Sequence, residues 1–392
     1  MAMILVIAGA AGGVAYMGEE GAVVGAFFAV ALWLLLLLIS YFQGDKIFLA
    51  ISGAKRVSHE DFPELYNVVE EMKIASGFPR MPDVYIIHDA APNAFATGRS
   101  PESASVAVTS GLLERLNRDE LQGVIAHEMS HIVNRDVLFM MILGVMLGAI
   151  VLIGDLFLRA RLFGGGSRRR SSDGGQLQLI LFAVALFFII LSPIIAQIVY
   201  FAVSRRREYL ADACGAQLTR YPEGLAGALE KISASPAQLK AANRITAPMY
   251  IVNPMMKLKS SAGLFSTHPP VEQRIKILRS MGGNYSLDSY QMQWSKTSGG
   301  RQLFSARDLN DNFFKKAGAT AAAPGPRAAA TAAAPLAAAP VANRSNLSDF
   351  FWKNEGYSMI DCACGVRLKV PGEFRSKTVM CPKCGTKHKV AA

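Results

Sequence analysis

His127 and His131 stand four positions apart, with Glu128 beside the first of them. On an α-helix that spacing puts both imidazoles on one face, one turn apart, able to grip a single cation. Glu128 is then placed to reach a water on that cation and take its proton, the work of a general base. The helix itself is well specified. Asn117 with Glu120 three residues on reads as a capping box, and Leu121, Val124, Ile125, Ile132 and Val133 supply apolar faces. A histidine pair at this spacing also arises by chance on ordinary helices, so the motif needs support from elsewhere.

A catalytic zinc takes three protein donors and keeps one position open. Glu208, within Ser204-Arg205-Arg206-Arg207-Glu208-Tyr209-Leu210-Ala211-Asp212, is the candidate third donor. Asp212 lies one turn further, where it can accept a hydrogen bond from a ligand imidazole and fix its tautomer. The competing reading of Glu208 is an ion pair with the arginines beside it. His268, in Thr267-His268-Pro269-Pro270, reads either as a donor to the oxyanion of a tetrahedral intermediate or as a structural histidine before a helix. Asn93, Ala94 and Phe95 read as an edge strand that holds an extended peptide by main-chain hydrogen bonds, or as a loop with a buried phenylalanine. His59 and His88 have no partner pattern.

Cys362, Cys364, Cys381 and Cys384 form two close pairs, C-x-C and C-x-x-C, each followed by glycine. Four thiolates suit a closed, structural zinc, and a module this small needs its metal to fold. Its strand-like runs are Val366 to Val370 and Lys387 to Val390. Thiols kept for a metal imply a reducing compartment, most simply the cytosol. Cys214 reads as a packed thiol. The basic residues of the module admit nucleic acid, but a protein-binding or substrate-delivery role is preferred.

The elements around these residues are partly membrane-like. Apolar residues make up 51% of the 392-residue chain and charged ones only 18%, and the apolar excess is concentrated in runs. Residues 1–45 read as two N-terminal transmembrane helices, the second spanning Gly21 to Phe42 without a charge. No convincing cleavage site follows the first, so both are expected to remain. Lys46, Lys55 and Arg56 then place the following chain in the cytoplasm. Residues 46–136 read as the first part of a catalytic domain, with a helix from Asp61 to Ser76 and strands at Asp83–His88 and Ser105–Ser110. Residues 137–203 read as a membrane hairpin, either spanning or shallow, because the Arg159–Gln176 link holds five arginines against the positive-inside rule. Residues 204–282 complete the catalytic domain. No role is assigned to 283–316. Residues 317–343, nearly all Ala, Pro and Thr, read as a disordered linker, and 344–392 as the separate cysteine module.

Taken together, these residues resemble the HtpX family of membrane zinc metalloproteases, relatives of the CAAX-prenyl endoprotease. The likeness covers roughly residues 1–282. It rests on Pro92-Asn93-Ala94-Phe95-Ala96-Thr97-Gly98, on His127 to His131, on Ser204 to Asp212, and on Tyr250-Ile251-Val252-Asn253-Pro254 with Phe265 to Pro270 leading to Arg274-Ile275. The resemblance implies an α+β, mainly helical zincin domain with a small sheet and transmembrane helices. It implies zinc on His127, His131 and Glu208, and peptide-bond hydrolysis in misfolded or mislocalised membrane proteins. It also implies a multi-pass protein of the bacterial inner membrane with its catalytic domain cytoplasmic, and the reduced thiols put the C-terminus on the same side. The zinc-ribbon-like module stands outside the family pattern. Two rival readings are an inert membrane-tethered adaptor that binds proteins or nucleic acid through the ribbon, and a transporter. The intact set of core residues argues against the first, and the large motif-bearing soluble part against the second.

Overall fold

The computed structural model describes residues 21–140, 142–143, 194, 198, 201–237, 239, 249–252, 268–305, 340–342 and 344–390. The first expected membrane helix, nearly all of the 137–203 hairpin and most of the Ala-Pro linker lie outside these residues.

Helix α1 (Gly21–Ile51) is, among the described residues, the one helix long and apolar enough to cross a membrane. Val23, Phe27, Phe28 and Leu38 are exposed along it. It does not stop at residue 45 as expected. Nothing breaks the helix until Gly53, which takes the left-handed backbone (φ 64°) that closes a helix at low steric cost. The extra turns carry Phe48 and Leu49 into the catalytic domain, where Phe48 meets the Phe95 ring edge-on at 4.5 Å.

A four-stranded sheet follows, in the order β1-β2-β4-β3. The strands are β1 (Lys55–Arg56), β2 (Asp83–Ile87), β3 (Ala94–Thr97) and β4 (Ser105–Thr109). β2 and β4 run parallel, β1 and β3 antiparallel to them. Alternation sorts their side chains. Val84, Ile86, Ala94, Ala96, Val106 and Val108 join the main core, under α2 (Pro63–Ser76) and α4 (Arg118–Val133). Ile87, Phe95 and Ala107 face the end of α1 and Tyr250. A short helix α3 (Ser110–Leu113) leads from β4 towards α4.

α4 is capped as expected, with both arms of the Asn117–Glu120 box formed. It packs against α5 (residues 201–219) and α6 (Pro222–Ser233). The approach is close enough to require glycine. A Cβ on Gly123 would lie 2.6 Å from Leu225 N and 2.8 Å from its Cα, backbone atoms that cannot swing aside. Gly123→Ala is therefore expected to destabilise the protein by about 1–3 kcal/mol, outweighing alanine's better helix propensity. Thermal melting checks this, and an unchanged midpoint would show that α6 yields.

Helices α7 (Val271–Arg279) and α8 (Leu287–Thr297) close the domain. α8 lies in the stretch that had no expected role. Leu287, Tyr290, Leu303 and Phe304 are buried in the main core, so the domain extends past residue 282. Its signal was present as Tyr290 and Trp294, one turn apart on one helix face.

The C-terminal segment is not simply tethered. Val341 N and Ala342 N donate to the carbonyls of Leu116 and Leu113. α9 (Arg344–Asn354) then lays Phe350 edge-on to Phe62 and stacks Phe351 on His88, with ring centroids 5.3 and 4.1 Å apart. Beyond it, β5 (Ser358–Asp361) pairs with β6 (Arg367–Val370), and β7 (Thr378–Met380) with β8 (Lys387–Lys389), as two antiparallel hairpins.

Candidate functional site

α4 and α5 cross so that their polar faces meet. Gly215 makes this possible, since a Cβ there would sit 3.2 Å from His127 N. His127 Nε2 and His131 Nε2 are 3.2 Å apart. Glu208 Oε2 lies 3.6 Å from the first, and Oε1 3.5 Å from the second. These three residues offer donor atoms within 4.8 Å of one another, and they are buried or nearly so. Two imidazoles and a carboxylate are a donor set suited to zinc.

Each imidazole is backed by a carboxylate. His127 Nδ1 lies 3.0 Å from Asp212 Oδ1, and His131 Nδ1 2.9 Å from Asp136 Oδ2. Arg274, fully buried, grips Asp212 with both arms, at 2.8 Å from Nε and 2.7 Å from Nη2, and the Tyr290 hydroxyl donates to the same carboxylate. Arg207 binds Asp136. Asp212 was expected from its spacing. Asp136 and Tyr290 were not, and Arg207 and Arg274 stood out only as parts of motifs.

The charges respond to this packing. Burial alone would push His127 down, but Asp212 and Glu208 outweigh it and bring it up to about 9. Burial would raise the Glu208 carboxyl, yet His268, His127 and Arg274 together hold it well below the usual range. Arg274 likewise overcomes burial to hold Asp212 down. Glu128 goes the other way, raised by burial and only partly relieved by the two histidines. Its Oε1 is buried and accepts no hydrogen bond. With both imidazoles neutral, as metal ligands must be, Glu128, Asp136, Glu208 and Asp212 when ionised carry two more charges than Arg207 and Arg274 supply. A divalent cation among the donors fits that deficit, and an unpaired buried carboxylate oxygen is otherwise costly.

The cleft beside these groups is lined by Ala96, Glu128, His131, Tyr250 and Ile251 among others. Its wall, residues 250–252, is held from several directions. Ile251 N donates to Ala94 O at 3.0 Å, Asn93 Nδ2 to Val252 O at 2.9 Å, Arg274 Nη1 to Ile251 O at 3.0 Å, and His268 Nε2 to Tyr250 O at 2.6 Å. Asn93 is thus a clamp for the cleft wall, Ala94 has its outward carbonyl occupied, and Phe95 is buried on the α1 side of the sheet. Ala96, two residues along the same edge, is the one that lines the cleft. His268 Nε2 is engaged with Tyr250 and lies 3.8 Å from Glu208 Oε1.

The second cluster brings Cys362, Cys364, Cys381 and Cys384 together, with Sγ–Sγ separations of 3.3 Å (Cys362–Cys384) and 3.6 Å (Cys364–Cys381). The Thr386 hydroxyl and main chain bring the Cys384 thiol down to about 6, while hydrogen bonds from the other three thiols help push Cys364 up, so the four do not ionise independently. Cys214 is buried and apart from both clusters.

Comparison with known proteins agrees with this geometry. Residues 59–282 match the model of peptidase family M48. A protease HtpX homolog of Caldanaerobacter subterraneus subsp. tengcongensis is 48% identical over 243 residues, 62% of this chain and 80% of the relative. One from Dictyoglomus thermophilum is 48% identical over 67% of this chain and 85% of the relative, and one from Tropheryma whipplei 44% over 68% and 92%.

Proposed function

This chain belongs to peptidase family M48, among the HtpX proteases, and from that premise we propose a membrane-anchored zinc endopeptidase working in the cleft beside β3. The observation that carries the proposal is the convergence of His127, His131 and Glu208, with the unpaired Oε1 of Glu128 at the same cleft. A zinc ion held by those three residues supplies Lewis acidity to the attacking water and the scissile carbonyl. Asp212 and Asp136 keep each imidazole in the tautomer that presents Nε2. Glu128 takes the proton of the attacking water and returns it to the leaving amine nitrogen. The Ala96 edge of β3 receives substrate main chain, and Asn93 and His268 shape the adjoining wall by holding residues 250–252.

The exposed apolar surface of α1 supports membrane anchoring, and its direct run into the domain core is the reason to read the cleft as lying close to the bilayer. Misfolded or mislocalised membrane proteins are the substrates this position favours, with the catalytic domain on the cytoplasmic side. The four cysteines hold a second, structural zinc, and the ribbon serves as a protein-binding module.

The test is metal content and proteolysis of the detergent-solubilised chain. After chelation and readdition, two zincs per chain and zinc-dependent cleavage of casein are expected. Glu208→Ala should keep one zinc and lose activity, and Cys384→Ser should lose the other while cleavage survives. Full activity in Glu208→Ala, or after complete zinc removal, would overturn the assignment.

A further inference from the structure

The two imidazoles at the site are supported unequally. His127 is fully buried, and behind it Asp212 and Arg274 are fully buried too. His131 stands at the edge of the cleft, its side chain 14% exposed, and behind it Arg207 is 25% exposed. Its support is assembled from further away. Asp136 lies beyond the end of α4 and folds back because Arg135 adopts a left-handed backbone with φ 56°, uncommon for a residue with a Cβ. Asp136 is nonetheless only 2% exposed. One of its oxygens takes His131 Nδ1 at 2.9 Å, and the other takes the Arg207 guanidinium. The same guanidinium lies over the Phe139 ring, 4.3 Å from its centroid. Arg207 is also the residue immediately before Glu208 on α5.

We propose that Asp136 and Arg207 act as a pair of positioning residues that hold His131 in the geometry of a zinc ligand. The proposal rests on the zinc-site reading above and deepens it. A histidine ring at a cleft edge turns easily about its second torsion, which is broad and roughly two-fold. Asp136 removes that freedom and keeps the proton on Nδ1, so that Nε2 faces the cation and is more basic towards it. Asp136 is itself on a strained turn, and one arm of the Arg207 guanidinium holds it there through a charge-assisted hydrogen bond. The bond also crosses from the end of α4 to α5. It therefore sets the spacing between the helix that carries two donors and the helix that carries the third, on the open side of the site where Arg274 does not reach. Phe139, three residues beyond Asp136, packs on the same guanidinium.

The effect belongs to zinc retention rather than to the proton step. In full-length protein purified in detergent, zinc affinity is read by competition with a chromophoric chelator. Asp136→Ala is expected to weaken zinc binding by about 10–100-fold. Arg207→Ala should weaken it by a smaller factor, with Arg207→Lys recovering part of the loss. The double variant should bind no more weakly than Asp136→Ala alone, because Arg207 acts through Asp136, whereas two independent structural losses would multiply. Where Asp136→Ala fails to fold, Asp136→Asn with Arg207→Lys carries the same comparison.

If Glu208→Ala leaves the zinc content of the chain unchanged, it is the zinc-site reading that fails. If Glu208→Ala loses a zinc while the Asp136 and Arg207 variants keep wild-type affinity, or their losses multiply in the double variant, the positioning pair is overturned.

Discussion

Glu128→Gln is expected to lower kcat/KM for peptide hydrolysis by about 10²–10⁴-fold, the range of a general base, while zinc content stays at the wild-type level. The substitution keeps the shape of the side chain and removes only its basicity. Glu128 is buried, its Oε1 accepts no hydrogen bond, and burial is the main cause of its raised pKa. In the metal-free protein an ionised carboxylate in that position is tolerated rather than favoured, so there the amide should melt at the same temperature or higher. That combination separates a catalytic role from a structural one. A fall in turnover with intact zinc and an unchanged or raised midpoint supports Glu128 as the base. Loss of zinc or of fold along with activity would assign it a structural part, and undiminished turnover would remove it from the mechanism.

What could be read from the sequence was local, and what could not was brought together by the fold. The helix of His127 and His131 announces itself through its capping box and its four-residue spacing, both of which act within one or two turns. Asp212 is legible for the same reason, one turn after Glu208. β2 and β4 follow from alternation and β-branching, and they formed within a residue of expectation. Asp136 escaped because it reaches His131 only through the left-handed turn at Arg135, which no apolar pattern signals. Arg274 escaped because it lies 62 positions from the carboxylate it grips. The aromatic pair Phe350 and Phe351 was hidden by context. It follows a low-complexity stretch, and only contact with Phe62 and His88 makes it part of the domain. The short β5 and β7 carry too few residues for a two-fold pattern and are defined by their partners across the hairpins.

Arg274 carries the largest expected effect on stability. Arg274→Met removes the guanidinium while filling much of its volume, so the response reports charge more than cavity. In metal-free protein the loss should be about 3–5 kcal/mol, because Asp212 and Glu208 are left as buried charges without their partner. Zinc restores two positive charges beside Glu208, so the deficit should shrink when the site is loaded. It should shrink with acidification too, and the sign follows from Asp212. In the wild type Arg274 holds that carboxyl below its ordinary pKa. Its contribution is therefore complete above the ordinary carboxylate range and is lost as pH falls through the lowered value. Without Arg274, burial favours the protonated acid, and lower pH relieves the strain instead. Denaturant unfolding of both proteins, with chelator and with zinc, at neutral pH and near pH 4, measures all three trends. Equal stability of the metal-free forms at neutral pH would mean that His127 and Tyr290 alone neutralise Asp212, and the two-charge deficit argued for the cation would then have to be recounted.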